Sequence, residues 1–270
     1  MEMSDHNEPE PEFDAFEPTI ARVYDYGAGG KDNYAADRAV AGEILELSPE
    51  AKDTAALNRA FIRRALRHVA RNGVRQLIDI GAGIPDLKGS PLQIMLAANA
   101  NARVAYVDKD THVLTHLRAY HEAEPCSVAI WGDLGKPRDI MTHPRLTGCI
   151  DLAQPVAVLL GAVLHFQPNP GAFEVTDFIK SGLAPGSYLI VSHATGEGVE
   201  PGIAEQVQDK YAAAGMDPLT LRTRGDVARF FEGWDLAAPG VADINDWHPL
   251  PGEKPQAPTI LYGGVARKSP

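Results

Sequence analysis

Beyond Gly73, short apolar runs alternate with stretches of helical periodicity, and this alternation constrains the fold more than any other feature of the sequence. Consecutive runs are far enough apart for a helix to lie between them, as parallel strands require. The predicted strands are 76–80, 103–107, 127–131, 156–160 and 188–192, with a last strand at 260–266. The chain is therefore predicted to be an α/β protein, with a mostly parallel sheet and helices on both faces.

Two helices are predicted before the first strand. Apolar residues recur at helical spacing in 35–47 and again in 55–72, where Asn72-Gly73 is a suitable carboxyl-terminal cap. Residues 1–17 are rich in Glu, Asp and Pro and have few groups that could offset the entropy of ordering. We therefore expect a disordered acidic tail at 1–17, an N-terminal helical segment at 18–72 and a ligand-binding α/β domain at 73–270.

Charge and composition exclude several classes of protein. The formal net charge is −11, so nucleic acids and anionic membranes are not expected partners. Cys126 and Cys149 form no CxxC pair and are not near histidines at zinc-ligand spacing, which favours reduced thiols and no metal site. The first residues are acidic, unlike a signal peptide, and the apolar run 155–166 is shorter than the roughly 20 residues of a membrane helix. A cytoplasmic protein is expected, while its oligomeric state is not indicated.

The segment LIDIGAGIP, Leu77 to Pro85, carries the strongest functional signal. An apolar strand containing Asp79 turns through Gly81 and Gly83, where the backbone can turn sharply and approach a ligand closely. Asp108 ends the next strand, where a carboxylate can accept hydrogen bonds from ribose hydroxyls. Asp133 follows the third strand, at the sheet edge where open α/β folds bind ligands. Taken singly, each of these acids could merely cap a loop. Three acids at successive strand ends favour a cofactor site instead.

The choice of cofactor follows from charge. A dinucleotide fingerprint beginning at Gly81 and Gly83 would require a small residue at position 86, where this chain has Asp86. An acid there would face the pyrophosphate of a nicotinamide dinucleotide. S-adenosylmethionine carries an ammonium and a sulfonium and no phosphate, so acids such as Asp79 are tolerable or helpful. S-adenosylmethionine is therefore the predicted cofactor.

These motifs resemble those of class I S-adenosylmethionine-dependent methyltransferases, with DIGAG, YVD and WGD as the first three motifs. More specifically, ARVYDYGAGGKDNYAAD, NRAFIRRA and LLGAVLHF resemble an actinobacterial S-adenosyl methyltransferase family formerly catalogued as a domain of unknown function. The resemblance covers nearly the whole chain. It implies a Rossmann-like sheet of seven strands, the last one antiparallel, and makes 73–270 the methyltransferase domain. It further implies Asp108 on the ribose, Asp133 near the adenine, and Gly81 and Gly83 beside the methionine moiety.

The glycine-rich segment GAGGKDNY, 27–34, fails the phosphate-loop pattern because Asp32 follows Lys31. It is either a flexible turn or part of a lid over the cofactor, and the resemblance favours the lid. In that interpretation 18–72 forms an N-terminal helical lid. The residues expected to supply its polar contacts are Tyr24, Lys31, Asn33 and Tyr34.

His165 follows the fourth predicted strand, where a loop would lie over the transferable methyl group. It is either a structural histidine or the residue that orients the acceptor or takes its proton. The function predicted is methyl transfer to a small-molecule acceptor that the sequence does not identify. A non-enzymatic S-adenosylmethionine-binding protein and an NAD(P)-dependent oxidoreductase are the alternatives.

Overall fold

The computed structural model describes residues 10–86, 89–121, 126–249 and 259–269, which contain one sheet of eight strands. The five parallel strands are β1 (Gln76–Ile80), β2 (Arg103–Asp108), β3 (Ser127–Trp131), β4 (Ala157–Gly161) and β5 (Tyr188–Ala194). The remaining strands are β6 (Asp235–Leu236), β7 (Ala242–Asp243) and β8 (Leu261–Arg267). The order is β3-β2-β1-β4-β5-β8-β6, and β7 also pairs with β8. All six strands predicted from apolar runs are confirmed within two residues at each end.

The strand count corrects the prediction of seven. β8 runs antiparallel to β5, as expected, but two separate two-residue strands pair with it. β6 pairs with Ala266 and Arg267, whereas β7 pairs with Tyr262 and Gly263. Strands of two residues carry no alternating pattern, so the sequence could not reveal them.

Helices cover both faces of the sheet because strand side chains alternate between them. Leu77 packs with Phe61 and Met95 in one apolar cluster, whereas Ile78 packs with Ile140 and Ile179 in another. The helices are α1 (Ile20–Gly27), α2 (Ala35–Leu47), α3 (Ala51–Arg71), α4 (Pro91–Ala98), α5 (Thr111–His121), α6 (Pro137–Thr142), α7 (Pro144–Cys149), α8 (Gly171–Ser181), α9 (Pro201–Ala213) and α10 (Arg224–Arg229). Within the described residues no helix is both long and apolar enough to cross a membrane.

Two helices outside the N-terminal segment begin at well-formed caps. Ser90 accepts a hydrogen bond from the amide of Gln93 at 3.3 Å, and Pro91 is the first residue of α4. Thr223 and Asp226 form a reciprocal capping box at the start of α10. These side chains bond to amides that the first turn leaves unpaired, which fixes where each helix begins.

The N-terminal helices divide between two environments. α3 packs on the sheet, with Phe61, Leu66 and Val69 fully buried in the same cluster as β1. α1 and α2 instead form a smaller cluster around Val23 and Ile44, against which residues of α9 pack. α1 and α2 therefore pack with α9 in a cluster of their own, while α3 belongs to the main core.

Candidate cofactor site

A cavity of about 430 Å³ lies at the carboxyl ends of the parallel strands, where open α/β sheets bind ligands. Residues at the ends of β1, β2, β3 and β4 contribute to its wall. The structure brings to this cavity all five of the strand-end residues predicted to contact the cofactor, which are Asp79, Gly81, Gly83, Asp108 and Asp133.

The turn after β1 depends on its glycines. Gly81 and Gly83 have φ angles of 73° and 65°, in the left-handed region that favours glycine. A Cβ atom on Gly81 would lie 2.6 Å from Cγ2 of Val163, in the loop after β4. A Cβ atom on Gly83 would meet nothing within 4 Å. Gly81 thus permits close contact between two loops, and Gly83 leaves the wall of the cavity open.

Asp108 links the ends of β1 and β2. Its Oδ2 accepts a hydrogen bond from the amide of Gly83 at 2.9 Å, and its Oδ1 accepts one from the amide of Asp110 at 2.9 Å. Burial raises the pKa of Asp108 to about 6, although the two amide donors act in the opposite direction. Each carboxylate oxygen keeps a further lone pair, so the group can accept hydrogen bonds from a ligand as well.

Asp79 is buried in the cavity wall and has no partner among the described residues. It is 5% exposed and has no hydrogen bond or ion pair within the described residues. Burial, and secondarily the charge of Asp108, raises the pKa of Asp79 to about 7. An unpaired buried carboxylate is unfavourable, so this position favours a ligand that brings a positive charge.

Asp133 completes the set of three strand-end acids. Its side chain is half-buried, and its Oδ1 accepts a hydrogen bond from the amide of Gly135 at 2.8 Å. This bond fixes the turn after β3, which is the loop-capping role considered as the alternative for such an acid. Because Asp133 also lines the cavity, the capping role and contact with a ligand are compatible.

Only one of the four residues predicted for the lid lines the cavity. The hydroxyl of Tyr24 donates to the carbonyl of Ala55 and accepts from Nδ2 of Asn58, both at 3.1 Å, so its position in the wall is fixed. Lys31, Asn33 and Tyr34 lie outside the lining. Their local contacts explain this. Lys31 is exposed, Asn33 donates to the Asp25 carboxylate at 2.8 Å, and Tyr34 packs against Phe13 and His112.

Residues 11–17, which belong to the acidic tail expected to be disordered, lie along the cavity together with Pro18 and Thr19. We call residues 11–19 the N-terminal strap; six of its residues besides Thr19 line the cavity. The Thr19 hydroxyl donates to Asp110 at 2.6 Å, and Nη1 of Arg22 donates to the Asp14 carbonyl at 3.0 Å. Phe13 stacks on His112. Phe13, an aromatic residue within an acidic segment, was the feature of the sequence that signalled these contacts.

The arginines of α3 are a second feature of the cavity that the sequence pattern did not indicate. Arg59, Arg63, Arg67 and Arg71 recur every four residues, a pattern usual for a solvated face. Arg59 and Arg63 nevertheless line the cavity. Arg63 forms an ion pair with Asp86 at 3.1 Å. Asp86 is therefore partly neutralised, so its charge alone is a weaker argument against a phosphate-bearing cofactor than the sequence indicated.

His165 does not line this cavity but a smaller adjacent one of about 160 Å³. The two cavities share Ile20, Tyr24, Ala162 and Phe166 as lining residues. The amide of Ala194 donates to Nδ1 of His165 at 3.2 Å. Burial holds the pKa of His165 well below its usual range, so the ring is neutral.

Comparison with known proteins identifies the family. Residues 6–269 match the S-adenosyl methyltransferase family. The chain belongs to that family. A candidate methyltransferase from Thermobifida fusca YX has a TM-score of 0.89 and 32% identity, covering 97% of this chain and 99% of its own. A DUF574 family protein from Streptomyces avermitilis MA-4680 has a TM-score of 0.88 and 34% identity, with coverage of 93% and 98%. No curated protein matches.

The wider structural likeness concerns the fold. Human N-acetylserotonin methyltransferase, solved in complex with S-adenosylmethionine, has a TM-score of 0.50 and 12% identity, covering 92% of this chain and 62% of its own. With the family match, this establishes a Rossmann-like S-adenosylmethionine-dependent methyltransferase. Both the predicted fold class and the predicted cofactor are confirmed.

The charges around the large cavity of this S-adenosyl methyltransferase fit its cofactor. Among the described residues of the lining there are nine carboxylate side chains and four Arg or Lys side chains. Such an excess of negative charge repels a pyrophosphate and attracts the sulfonium and ammonium of S-adenosylmethionine. The Asp79 carboxylate, which has no partner among the described residues, likewise favours a positively charged ligand.

Proposed function

We propose that the protein transfers a methyl group to a small-molecule acceptor, with the cofactor held in the large cavity. The observation that carries the proposal is the convergence of three strand-end carboxylates and two left-handed glycines on one cavity. S-adenosylmethionine supplies an already activated methyl group. The main task of the protein is therefore to bind the cofactor and the acceptor, to orient them and to exclude water.

The residues of the large cavity that contact the cofactor in this proposal have roles that follow from their chemistry. Asp108 accepts hydrogen bonds from the ribose hydroxyls, and Asp133 binds near the adenine. Gly81 and Gly83 lie beside the methionine moiety, where Gly83 leaves the wall free of a side chain and Gly81 allows the loop after β4 to pack closely. Asp79 balances the ammonium. Among the described cations of the lining Arg59 can bind the carboxylate, because the other three, Arg22, Arg63 and Lys109, already form ion pairs. The N-terminal strap and α1 form the lid in this arrangement.

The proposal predicts that Asp108→Ala weakens binding of S-adenosylhomocysteine by about 1 to 3 kcal/mol, because the ribose hydroxyls lose a charged acceptor. Isothermal titration calorimetry measures this directly. Asp139→Ala is the matched control, since Asp139 is exposed on α6 and outside the lining. Equal affinity of the two folded variants would remove Asp108 from the cofactor site. Absence of binding to the unaltered protein would reject the proposed function itself.

A further inference from the structure

The smaller cavity differs in chemistry from the cofactor cavity beside it. Its wall consists mainly of apolar side chains from α1, α2 and α9, such as Val23, Ile44, Ile203 and Val207. Among the described residues that line it, none is Asp, Glu, Lys or Arg. An ion would lose its hydration there without gaining a countercharge, which is strongly unfavourable. The cavity therefore favours an uncharged, largely apolar occupant.

The position of this cavity connects it with methyl transfer. Ala162, directly after β4, lines both cavities and has a left-handed φ of 55°. Its amide is 3.1 Å from the Ser192 carbonyl and 3.0 Å from the Ser192 hydroxyl, contacts that hold this loop on β5. Tyr24, fixed by its own hydrogen bonds, also lies in both walls. A molecule in the smaller cavity would therefore abut the cofactor cavity at fixed residues.

His165 supplies a polar group in this apolar wall. Since an amide can only donate, Nδ1 of His165 must accept from Ala194, and the neutral ring carries its proton on Nε2. The side chain is 6% exposed, and its Nε2 has no hydrogen-bond partner within the described residues. The ring thus offers an unused hydrogen-bond donor. In this state His165 cannot serve as the proton-accepting base that the sequence analysis considered as one of its roles.

His193, which lies beside His165, differs from it in having both ring nitrogens hydrogen-bonded. Nδ1 of His193 donates to the Ala194 carbonyl at 2.7 Å, and its Nε2 accepts from Nη1 of Arg222 at 2.7 Å. Both nitrogens are engaged, and the residue lines neither cavity. His193 is therefore structural, whereas His165 has one nitrogen available.

We infer that the smaller cavity is the methyl-acceptor site and that it takes an uncharged, mainly apolar small molecule whose single polar end accepts a hydrogen bond from His165. The inference rests on the proposed function and specifies its substrate class. In the reaction a lone pair of the acceptor forms a bond to the methyl carbon, while the electrons of the carbon–sulfur bond return to sulfur. Where the acceptor atom carries a proton, water takes it, because the described lining offers no carboxylate and no free imidazole lone pair.

The test uses three uncharged probes, 1-naphthol, 4-butylphenol and 1-octanol, and their anionic counterparts 1-naphthoate, 4-butylbenzoate and octanoate. Binding to the protein saturated with S-adenosylhomocysteine is measured by ligand-observed NMR titration. At least one uncharged probe is expected to bind at least tenfold more tightly than its anionic counterpart. Failure of all three uncharged probes, or equal binding of the anions, would overturn the inference while leaving S-adenosylhomocysteine binding, and hence the proposed function, intact.

Two variants locate the site of probe binding. Ala204→Phe fills the cavity from α9 and should weaken the uncharged probes at least tenfold, without changing the affinity for S-adenosylhomocysteine. Ala213→Phe is the matched control, because Ala213 lies on the exposed side of the same helix. His165→Phe keeps an aromatic ring but removes the donor, so it should weaken 1-naphthol at least threefold and leave naphthalene unchanged. Probe affinity that is equal in Ala204→Phe and Ala213→Phe would place the binding elsewhere and refute the assignment.

Discussion

At the scale of single residues, Asp79 shows how a binding site can oppose the stability of the free protein. Its carboxyl group is buried at 5% exposure, lacks a partner among the described residues and has a pKa raised to about 7. The folded free protein therefore retains a proton that the unfolded chain releases near pH 4. Stability from this group is present below pH 4 and is lost as the pH rises through about 7. A cationic ligand would compensate for that loss.

Asp79→Asn should accordingly raise the thermal midpoint of the free protein by a few degrees at pH 7.5 and by less at pH 5.5. The amide has nearly the same shape but no charge to bury. Differential scanning calorimetry at the two pH values measures the effect, and saturating S-adenosylhomocysteine should reduce or reverse it. An equal shift at both pH values would mean that ionisation of Asp79 is not the cause.

At the scale of secondary structure, the strands and the acids at their ends were predictable because both depend on local sequence. A buried parallel strand is itself an apolar run, and Asp79, Asp108 and Asp133 lie at or near its carboxyl end in each of the first three strands. The N-terminal strap was not predictable, because distant residues hold it. The buried Asp37 carboxylate accepts from the amide of Thr19 at 3.0 Å and pairs with Arg22 at 3.3 Å. Long-range contacts also determine where the predicted lid residues lie, so composition alone could not position them.

The strap and α1 should become more protected when the cofactor site is filled, since Thr19 and other strap residues line that cavity. With S-adenosylhomocysteine bound, the amides of 12–17 and of Thr19 should exchange at least tenfold more slowly, which corresponds to about 1.4 kcal/mol of local protection. Hydrogen exchange read by mass spectrometry tests this, with exposed residues of α9 as the internal reference. Protection confined to 27–34 would instead identify the glycine-rich loop as the moving part, as the sequence analysis proposed.

At the scale of the whole molecule, two adjacent cavities differ in the charge that they accept. Among the charged side chains that line the larger cavity, carboxylates outnumber Arg and Lys, whereas the described lining of the smaller cavity carries no formally charged side chain. The first arises where strand ends of the sheet meet the strap, and the second where α1 and α2 pack near α9. Charge alone would therefore direct a cationic cofactor to the larger cavity and an uncharged acceptor to the smaller one, and the shapes of the cavities would add to this selection. This division could not be predicted from the sequence, because residues of the second cavity lie far apart along the chain.

The electrostatic part of this division predicts how salt should act on binding. Sinefungin carries an ammonium group in place of the sulfonium, whereas S-adenosylhomocysteine lacks that second cation. The net charge of −11 and the acidic lining attract the extra positive charge, and dissolved salt screens this attraction. Raising NaCl from 0.05 to 0.5 M should therefore weaken sinefungin roughly threefold more than S-adenosylhomocysteine, as measured by calorimetry. NADH, whose pyrophosphate is repelled by the same field, should not bind even at the lower salt concentration.

Because sinefungin and S-adenosylhomocysteine are otherwise similar, their comparison isolates the effect of the extra charge. Equal salt dependence would show that the acidic cavity does not discriminate by charge, and NADH binding would favour a dinucleotide in its place.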